Sequence, residues 1–333
     1  MVNSKRLGYS RMDINWYPGH MAQTRRLLND QIRKVDLVIE LCDARLPFSS
    51  RNPDLDRMIG NRNRILLMNK ADLADPNLSS RWLRFFRGKG MEAGLVQAKN
   101  LKAKEAMTAI ERATREAVEK AAAKGVRKTV RAMVVGVPNV GKSTYINRLR
   151  GGNIARTGDR PGVTRTNQWI RITPYLELLD TPGMLWPRLD DQQAARRLSY
   201  LGTIRDEILN LEDLALGLLN DLADTVPERV AERFHVKDPD LRGVELMDAV
   251  CRGRGFLLKG NEMDYDRCAS VVLDEFRGGK LGRITLEAPE EDLKTTDGYG
   301  NVSAPETDSE GSEKTDGTVA PEQGTDQPVI GTE

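Results

Sequence analysis

The chain has 333 residues, of which 39% are hydrophobic and 30% charged, a composition typical of a folded globular protein with room for two domains. No apolar run approaches the roughly 18–20 residues of a membrane-spanning helix, and the basic start lacks the apolar core of a secretory signal, so no membrane partner is expected. The three cysteines, Cys42, Cys251 and Cys268, form no CxxC pattern. Their spacing argues against a zinc site or a disulfide framework and favours a reducing cytoplasm.

The net charge of +2 hides two segments of opposite charge. Residues 288–333 carry twelve Asp or Glu and two Lys, a net charge of −10. The rest of the chain holds 49 of the 51 Lys and Arg and 37 of the 49 Asp and Glu, so its net charge is +12. A body this basic suits a polyanionic partner such as RNA, but the same residues could equally form a solvated surface without a partner.

The first half of the chain alternates predicted strands and helices. Strands are expected at residues 35–45, 62–72, 93–100 and 129–139, and on both sides of Thr173-Pro174. Helices are expected from His20 to about Val35, at residues 102–124 and from Lys142 to about Leu149. This alternation predicts an α/β fold with a parallel-type sheet flanked by helices.

The pattern becomes helical beyond Pro187. Helices are expected at residues 211–223, 227–234 and 265–277, while residues 281–287 read either as a short strand or as an extended segment. Residues 288–333 are rich in Gly, Ser, Thr, Pro, Asp and Glu and contain almost nothing apolar. The sequence therefore predicts a smaller all-α domain followed by a disordered acidic tail.

A phosphate-binding loop (P-loop) is predicted where GVPNVGKS, residues 136–143, matches G-x-x-x-x-G-K-[ST] between an expected strand and helix. Backbone N–H groups of such a loop and the following helix N-terminus attract phosphate. Lys142 should reach the β- and γ-phosphates, and Ser143 should bind Mg²⁺. The predicted phosphate-binding residues are Pro138, Asn139, Val140, Gly141, Lys142, Ser143 and Thr144.

Two further motifs are predicted to face the phosphates. Asp180-Thr181-Pro182-Gly183 has the form D-x-x-G, which would place Asp180 near Mg²⁺ and the Gly183 N–H near the γ-phosphate. Thr164, in TGDRPGVTRT, is a candidate Mg²⁺ ligand, although it could be an ordinary loop residue. The predicted metal site thus comprises Ser143, Thr164 and Asp180.

The sequence NKAD, residues 69–72, is a candidate guanine-reading loop, although an isolated NKAD also occurs as an ordinary turn. The Asp72 carboxylate can accept hydrogen bonds from guanine N1–H and the 2-amino group, which adenine does not offer, so GTP and GDP are favoured over ATP. Asn69, in the same loop, is also predicted to bind guanine, and Lys70 can lie along the base plane. Ala98 and Lys99, in a Gln-Ala-Lys sequence with Gln where Ser is usual, are expected to buttress the base.

Together these motifs resemble the circularly permuted ribosome-assembly GTPases of the YlqF/RbgA family. The resemblance covers about residues 13–287 and rests on NWYPGHM, CDARLPFSSRNP, NKADL, GVPNVGKST, TGDRPGVT, LLDTPGMLWP and RGFLLKG. It implies a GTPase domain in which the base-reading loop precedes the phosphate loop. The expected parts are an N-terminal segment with a catalytic His (1–30), the permuted GTPase domain (31–187), a helical RNA- or ribosome-binding domain (188–287) and the acidic tail (288–333).

The resemblance also implies an activity and its partners. The expected protein is a cytoplasmic, monomeric GTPase that binds GTP and GDP, uses Mg²⁺ and acts on the maturing large (50S) ribosomal subunit and its rRNA. It hydrolyses GTP slowly alone, is stimulated by the ribosomal particle and is released on hydrolysis. K⁺ beside Asn139 is a second candidate cation. A mitochondrial GTPase would use the same motifs, but the short N-terminus disfavours it.

The mechanism of hydrolysis is left open by the residue after D-x-x-G. Many small GTPases place there a Gln that orients the attacking water, whereas this chain has Met184. The resemblance implies that His20 acts in hydrolysis, but the residue alone could equally cap a helix. A nucleotide-dependent RNA-binding switch with negligible turnover is therefore the alternative. Asp43 and Arg45 could form an ion pair or contact RNA.

Overall fold

A mostly parallel six-stranded sheet organises the chain in the computed structural model, which describes residues 26–151, 168–181 and 192–289. The strands are β1 (Leu37–Asp43), β2 (Asn63–Asn69), β3 (Glu92–Leu95), β4 (Val130–Val135), β5 (Gln168–Thr173) and β6 (Leu176–Asp180). Their spatial order is β3-β2-β1-β4-β6-β5. The α/β fold class predicted from the alternation of elements is confirmed.

The central strand β1 is buried along its whole length, as its nearly continuous apolar sequence predicts. Its alternate side chains enter different cores on the two faces of the sheet. Leu37, Ile39 and Leu41 belong to the cluster that also contains residues of the helices after β3 and β4. Val38 packs in the cluster on the other face. Helices therefore cover both faces of the sheet.

Strand β5 departs from the parallel pattern, because it pairs antiparallel with β6. Only Pro174 and Tyr175 connect the two strands. A parallel pair needs a crossover of a dozen or more residues, whereas two residues suffice for a hairpin. The remaining strand pairs are parallel, so the carboxyl ends of β1, β2, β3, β4 and β6 lie at the same edge of the sheet.

The helices include several that are not among the predicted elements. The first helix, α1, has residues 26–32 in its described part. The others are α2 (Asp54–Ile59), α3 (Pro76–Gly88), α4 (Ala103–Ala122), α5 (Lys142–Arg150), α6 (Gln192–Tyr200), α7 (Leu211–Thr225), α8 (Pro227–Phe234), α9 (Gly243–Arg254) and α10 (Tyr265–Arg277). Helices α2, α3, α6 and α9 are the unpredicted ones. The start of α3 has a local sequence signal, an Asp followed by a Pro. Asp75 caps the helix by accepting from the N–H groups of Asn77 and Leu78, and Pro76 is its first residue.

Helices α7 to α10 surround a second apolar core, which also includes Leu46 from the loop after β1. All described residues belong to one compact unit, residues 1–295, while the second unit, residues 296–333, lies outside the described part. The division into domains at residue 187 stays a prediction. No helix among the described residues is long and apolar enough to cross a membrane.

Residues 281–289 form an extended segment, which we call the C-terminal strap. It adds no strand, so the extended alternative for residues 281–287 is the correct one. The strap lies against loops at the carboxyl edge of the sheet, where Ile284 N–H donates to Leu73 O and Leu286 N–H donates to Arg45 O, both at 2.9 Å. The strap therefore braces the loops that follow β1 and β2.

Candidate nucleotide-binding site

Five loops begin at the carboxyl edge of the sheet, where ligands bind in open α/β folds. They follow β1 at Asp43, β2 at Asn69, β3 at Leu95, β4 at Val135 and β6 at Asp180. The register places Asp43 directly opposite Asn69. Because loops at this edge meet in space whatever their order along the chain, a base-reading loop can precede a phosphate loop and still share its pocket.

The phosphate loop has the backbone shape that its glycines allow. Gly141 has φ +101° and directly precedes α5, and a Cβ there would lie 2.3 Å from Asn69 Nδ2. Gly136 is similarly tight, since a Cβ would lie 2.4 Å from Leu41 O. Asn139 also has a positive φ of 60°. The loop thus leads into the N-terminus of α5, a favourable place for phosphate.

Lys142 is buried and folded over its own loop. Its Nζ donates to Gly136 O at 3.1 Å and to Val137 O at 3.0 Å. Burial lowers the pKa of Lys142 to about 8, an effect that the nearby Asp180 carboxylate partly offsets. The lysine is therefore held at the loop that the sequence assigns to phosphate.

Ser143 and Asp180 offer oxygen ligands that suit a divalent cation. The Ser143 hydroxyl donates to Asp180 Oδ2 at 3.3 Å. Asp180 Oδ1 is buried and has no hydrogen-bond partner within the described ranges. Burial raises the pKa of Asp180, although Lys142 and Ser143 act in the opposite direction. A hydroxyl and a buried carboxylate with an unpartnered oxygen fit Mg²⁺, which prefers hard oxygen ligands.

Asn69 joins three of the five loops. Its Oδ1 accepts from Ala98 N–H at 2.8 Å, and its Nδ2 donates to Val140 O at 2.7 Å. The side chain is buried. Asn69 therefore fixes the base-reading loop to the buttress loop and to the phosphate loop, a bracing role that the sequence reasoning does not anticipate.

The remaining base-loop residues differ in exposure. Lys70 adopts φ +59°, and its Nζ lies 3.0 Å from Asp43 Oδ2. Asp72 is exposed. Ala98 is buried, whereas Lys99 is exposed in the short 3₁₀ turn Ala98–Asn100. The structure thus places all these predicted base-site residues at one edge.

Four residues singled out in the sequence lie outside the described residues: His20, Thr164, Gly183 and Met184. Pro138, Val140 and Thr144 lie in or beside the phosphate loop, with Pro138 and Val140 buried and Thr144 half-buried. The Asn139 amide donates to Gly202 O, beyond α6. Which of these residues touch a nucleotide stays a prediction.

Asp43 and Arg45 form a buried ion pair at the end of β1. Arg45 Nε donates to Asp43 Oδ1 at 2.9 Å and Nη2 donates to Oδ2 at 2.8 Å, a bidentate geometry. Burial alone would raise the pKa of Asp43, but Arg45 and Lys70 hold it well below its usual value. Of the two alternatives for these residues, the structure therefore has the ion pair.

Comparison with known proteins finds relatives along most of the chain. A family model described as 50S ribosome-binding GTPase matches residues 131–239. Ribosome biogenesis GTPase A of Bacillus cereus is 47% identical over 282 residues, covering 84% of this chain and 95% of that protein. The corresponding protein of Priestia megaterium is 44% identical over 283 residues, covering 84% of this chain and 98% of that protein.

Solved structures agree with the sequence relatives. A GDP-bound YlqF structure aligns with a TM-score of 0.58 at 27% identity, covering 80% of this chain and 100% of that one. The GNP-bound YlqF from T. maritima aligns with a TM-score of 0.57 at 26% identity, covering 80% and 99%. The base-reading motif at residues 69–72 precedes the range that the GTPase model matches, as a permuted order requires. The chain therefore belongs to the Ribosome biogenesis GTPase A family, the circularly permuted GTPases of the YlqF/RbgA type.

Proposed function

We propose that this GTPase is an assembly factor that acts on the maturing large ribosomal subunit and leaves it on hydrolysis. One observation carries the proposal: a protein named Ribosome biogenesis GTPase A is 47% identical along 84% of the chain. The description of the matching family model, 50S ribosome-binding GTPase, supports the choice of the large subunit. In this proposal the protein works as a cytoplasmic monomer whose macromolecular partner is the subunit and its rRNA.

The proposed nucleotide contacts follow the loops. Asp72 reads guanine, Lys70 lies along the base, and Ala98 and Lys99 buttress it. The backbone from Pro138 to Thr144, with Lys142 and the Gly183 N–H, holds the phosphates. The support is the placement of these loops at one edge of the sheet, together with the contacts that Asn69 makes between them. A carboxylate facing guanine selects against adenine, because it would be left unpaired.

Ser143, Thr164 and Asp180 would hold Mg²⁺ in this proposal. The metal, when bound, neutralises the charge that develops on the β- and γ-phosphates. The buried Asp180 Oδ1, unpartnered among the described residues, supports a ligand or water at this position. K⁺ near Asn139 is a further proposed cation.

His20 is the proposed catalytic residue, brought to the γ-phosphate when the ribosomal particle positions the N-terminal segment. Its support is indirect: Met184 stands where many GTPases have a Gln, and a thioether cannot orient the attacking water. The same observation favours a second candidate function, a nucleotide-dependent RNA-binding switch with negligible turnover. The two candidates differ in whether the large subunit stimulates hydrolysis.

The proposed RNA contacts come from the basic part of the chain, which carries a net charge of +12 outside the acidic tail. Not every basic residue is available for them. Arg254 pairs with Glu275 at 3.2 Å and lies over the rings of Phe234 and Phe256, so it stabilises the helical core. Binding through phosphates would weaken steeply with salt, since each neutralised phosphate releases counterions.

Co-sedimentation with purified large subunits tests the proposed partner. The full chain should sediment with large subunits in the presence of a non-hydrolysable GTP analogue and should remain in the supernatant with GDP. Small subunits and an ATP analogue serve as controls, and both should give background sedimentation. Equal sedimentation with large and small subunits would contradict a large-subunit factor.

A further inference from the structure

Asp43 lies between the base-reading loop and the helical part of the chain. Its carboxylate is fully buried; both oxygens accept from Arg45, and one of them also pairs with Lys70. Oδ1 accepts from Arg45 Nε at 2.9 Å and from Arg45 N–H at 3.1 Å. Oδ2 accepts from Arg45 Nη2 at 2.8 Å and pairs with Lys70 Nζ at 3.0 Å. One buried carboxylate thus holds two cations from different loops.

Arg45 carries the contact onward to α10. Its Nη1 donates to Phe276 O at 2.9 Å and to Arg277 O at 3.3 Å, at the C-terminal end of that helix. The guanidinium also lies 5.0 Å from the centroid of the Phe276 ring. Carbonyl groups at a helix C-terminus are favourable partners for a cation, and the side chain of Arg45 is only 2% exposed. The end of α10 is therefore tied to Asp43.

The contacts continue from α10 to the phosphate loop. Arg277 Nε donates to Tyr200 O at 3.0 Å and Nη2 donates to Ser199 O at 3.2 Å, at the end of α6. Beyond α6, Gly202 O accepts from the Asn139 amide of the phosphate loop. Hydrogen bonds and ion pairs therefore link both nucleotide-facing loops to the ends of the same two helices.

We propose that Asp43 is a positioning residue for guanine-nucleotide binding and that, through Arg45, it couples occupancy of the base site to the C-terminal end of α10. The inference rests on the base-reading role proposed above for Lys70 and Asp72. A base lying along the Lys70 stem removes water from it, and an ion pair strengthens as its surroundings lose water. A bound base should therefore strengthen the Lys70–Asp43 ion pair and hold the Asp43 carboxylate more firmly in place. The same carboxylate orients Arg45.

A double-mutant cycle tests the positioning role through the dissociation constant for GDP. Asp43→Asn should raise this constant about tenfold, the loss expected for one charged hydrogen bond. Lys70→Met should raise it as well, and Asp43→Asn should then add little, because its effect acts through Lys70. If the two substitutions raise the dissociation constant independently, so that their factors multiply in the double variant, Asp43 has a structural role only. That result would overturn the proposal.

Asp36→Asn is the matched control. Asp36 also pairs with a lysine, its Oδ1 lying 2.7 Å from Lys128 Nζ, but it directly precedes β1 and is therefore at the opposite edge of the sheet. This variant should bind GDP as the wild type does. If the wild-type chain binds ADP as tightly as GDP, the base-reading role itself is contradicted. That result differs from independent effects of the two substitutions on the dissociation constant for GDP, which would contradict only the positioning role of Asp43.

Hydrogen exchange tests the coupling. Saturating GDP should slow exchange of the Gly278, Gly279 and Lys280 amides, which close the end of α10, in the wild type and in Asp36→Asn. Asp43→Asn leaves Arg45 buried without its bidentate partner and could unfold the chain. Lys70→Met is therefore the second variant, because it removes only the Lys70–Asp43 ion pair, from the partner that is 26% exposed, and leaves the Arg45–Asp43 pair in place. GDP should protect these amides less in folded Lys70→Met than in the wild type. Protection that persists undiminished would overturn the coupling through Asp43 and Arg45 and would leave the contact of Asn139 with Gly202 as its route.

Discussion

Single side chains explain how a permuted chain builds one pocket. Asn69 accepts from Ala98 N–H and donates to Val140 O, so one amide spans loops that follow β2, β3 and β4. Its Nδ2 also occupies the space that a Cβ on Gly141 would need. At this scale the pocket depends on which atoms meet at the edge of the sheet, and the chain order of the loops is irrelevant.

Replacing Asn69 with Ala should destabilise the chain and weaken nucleotide binding together. The change leaves Ala98 N–H and Val140 O without their partner, which costs about 1–3 kcal/mol of unfolding free energy for buried groups. Urea unfolding and GDP titration measure the two effects. Asn77→Ala, at an exposed position early in α3, should change neither. Wild-type GDP affinity in Asn69→Ala would contradict the bracing role.

At the scale of elements, the C-terminal strap connects other parts of the fold although it is neither a strand nor a helix. The Glu287 carboxylate accepts from Phe48 N–H at 2.7 Å and from Ser49 N–H at 3.2 Å. The backbone carbonyl of Glu287 accepts from Trp82 Nε1 at 2.9 Å. These contacts join the strap to the loop after β1 and to α3. The strap is therefore part of the folded body.

Glu287→Ala should lower the free energy of unfolding by about 3 kcal/mol, because it removes the carboxylate that accepts from the Phe48 and Ser49 N–H groups. Urea unfolding measures the change. Glu207→Ala removes a carboxylate from an exposed position and serves as the control, with an expected change within about 0.5 kcal/mol. An equal, small effect for both variants would mean that the strap contributes little to stability.

The whole molecule joins the nucleotide site to the helices by two routes. One runs from Lys70 through Asp43 and Arg45 to α10, and the other from Asn139 to Gly202 beyond α6. The segment after Asp180 leads along the chain into α6, so we also propose that the nucleotide state sets the position or order of the helical part.

Much of the fold could be predicted from the sequence, because buried strands and glycine-rich loops have local signatures. The apolar runs at β1, β2 and β4 and the glycines of the phosphate loop are examples. What could not be predicted depends on contacts distant in the chain. Asn69 reaches Val140 across 71 positions, and Arg45 reaches Phe276 across 231. Helix α3, by contrast, has a local signal in its capping residue Asp75 and the following Pro76.

The measurement that tests the central claim most directly is steady-state phosphate release from GTP, with and without large ribosomal subunits. We expect slow release alone and stimulation by the subunit that falls on the order of 100-fold in His20→Ala, the scale of general acid–base catalysis. His235→Asn is the control, since this histidine ends α8 with φ +57°, a conformation that Asn tolerates, and stimulation should persist. Tight GTP binding without stimulation would contradict the account and favour the non-catalytic RNA-binding switch.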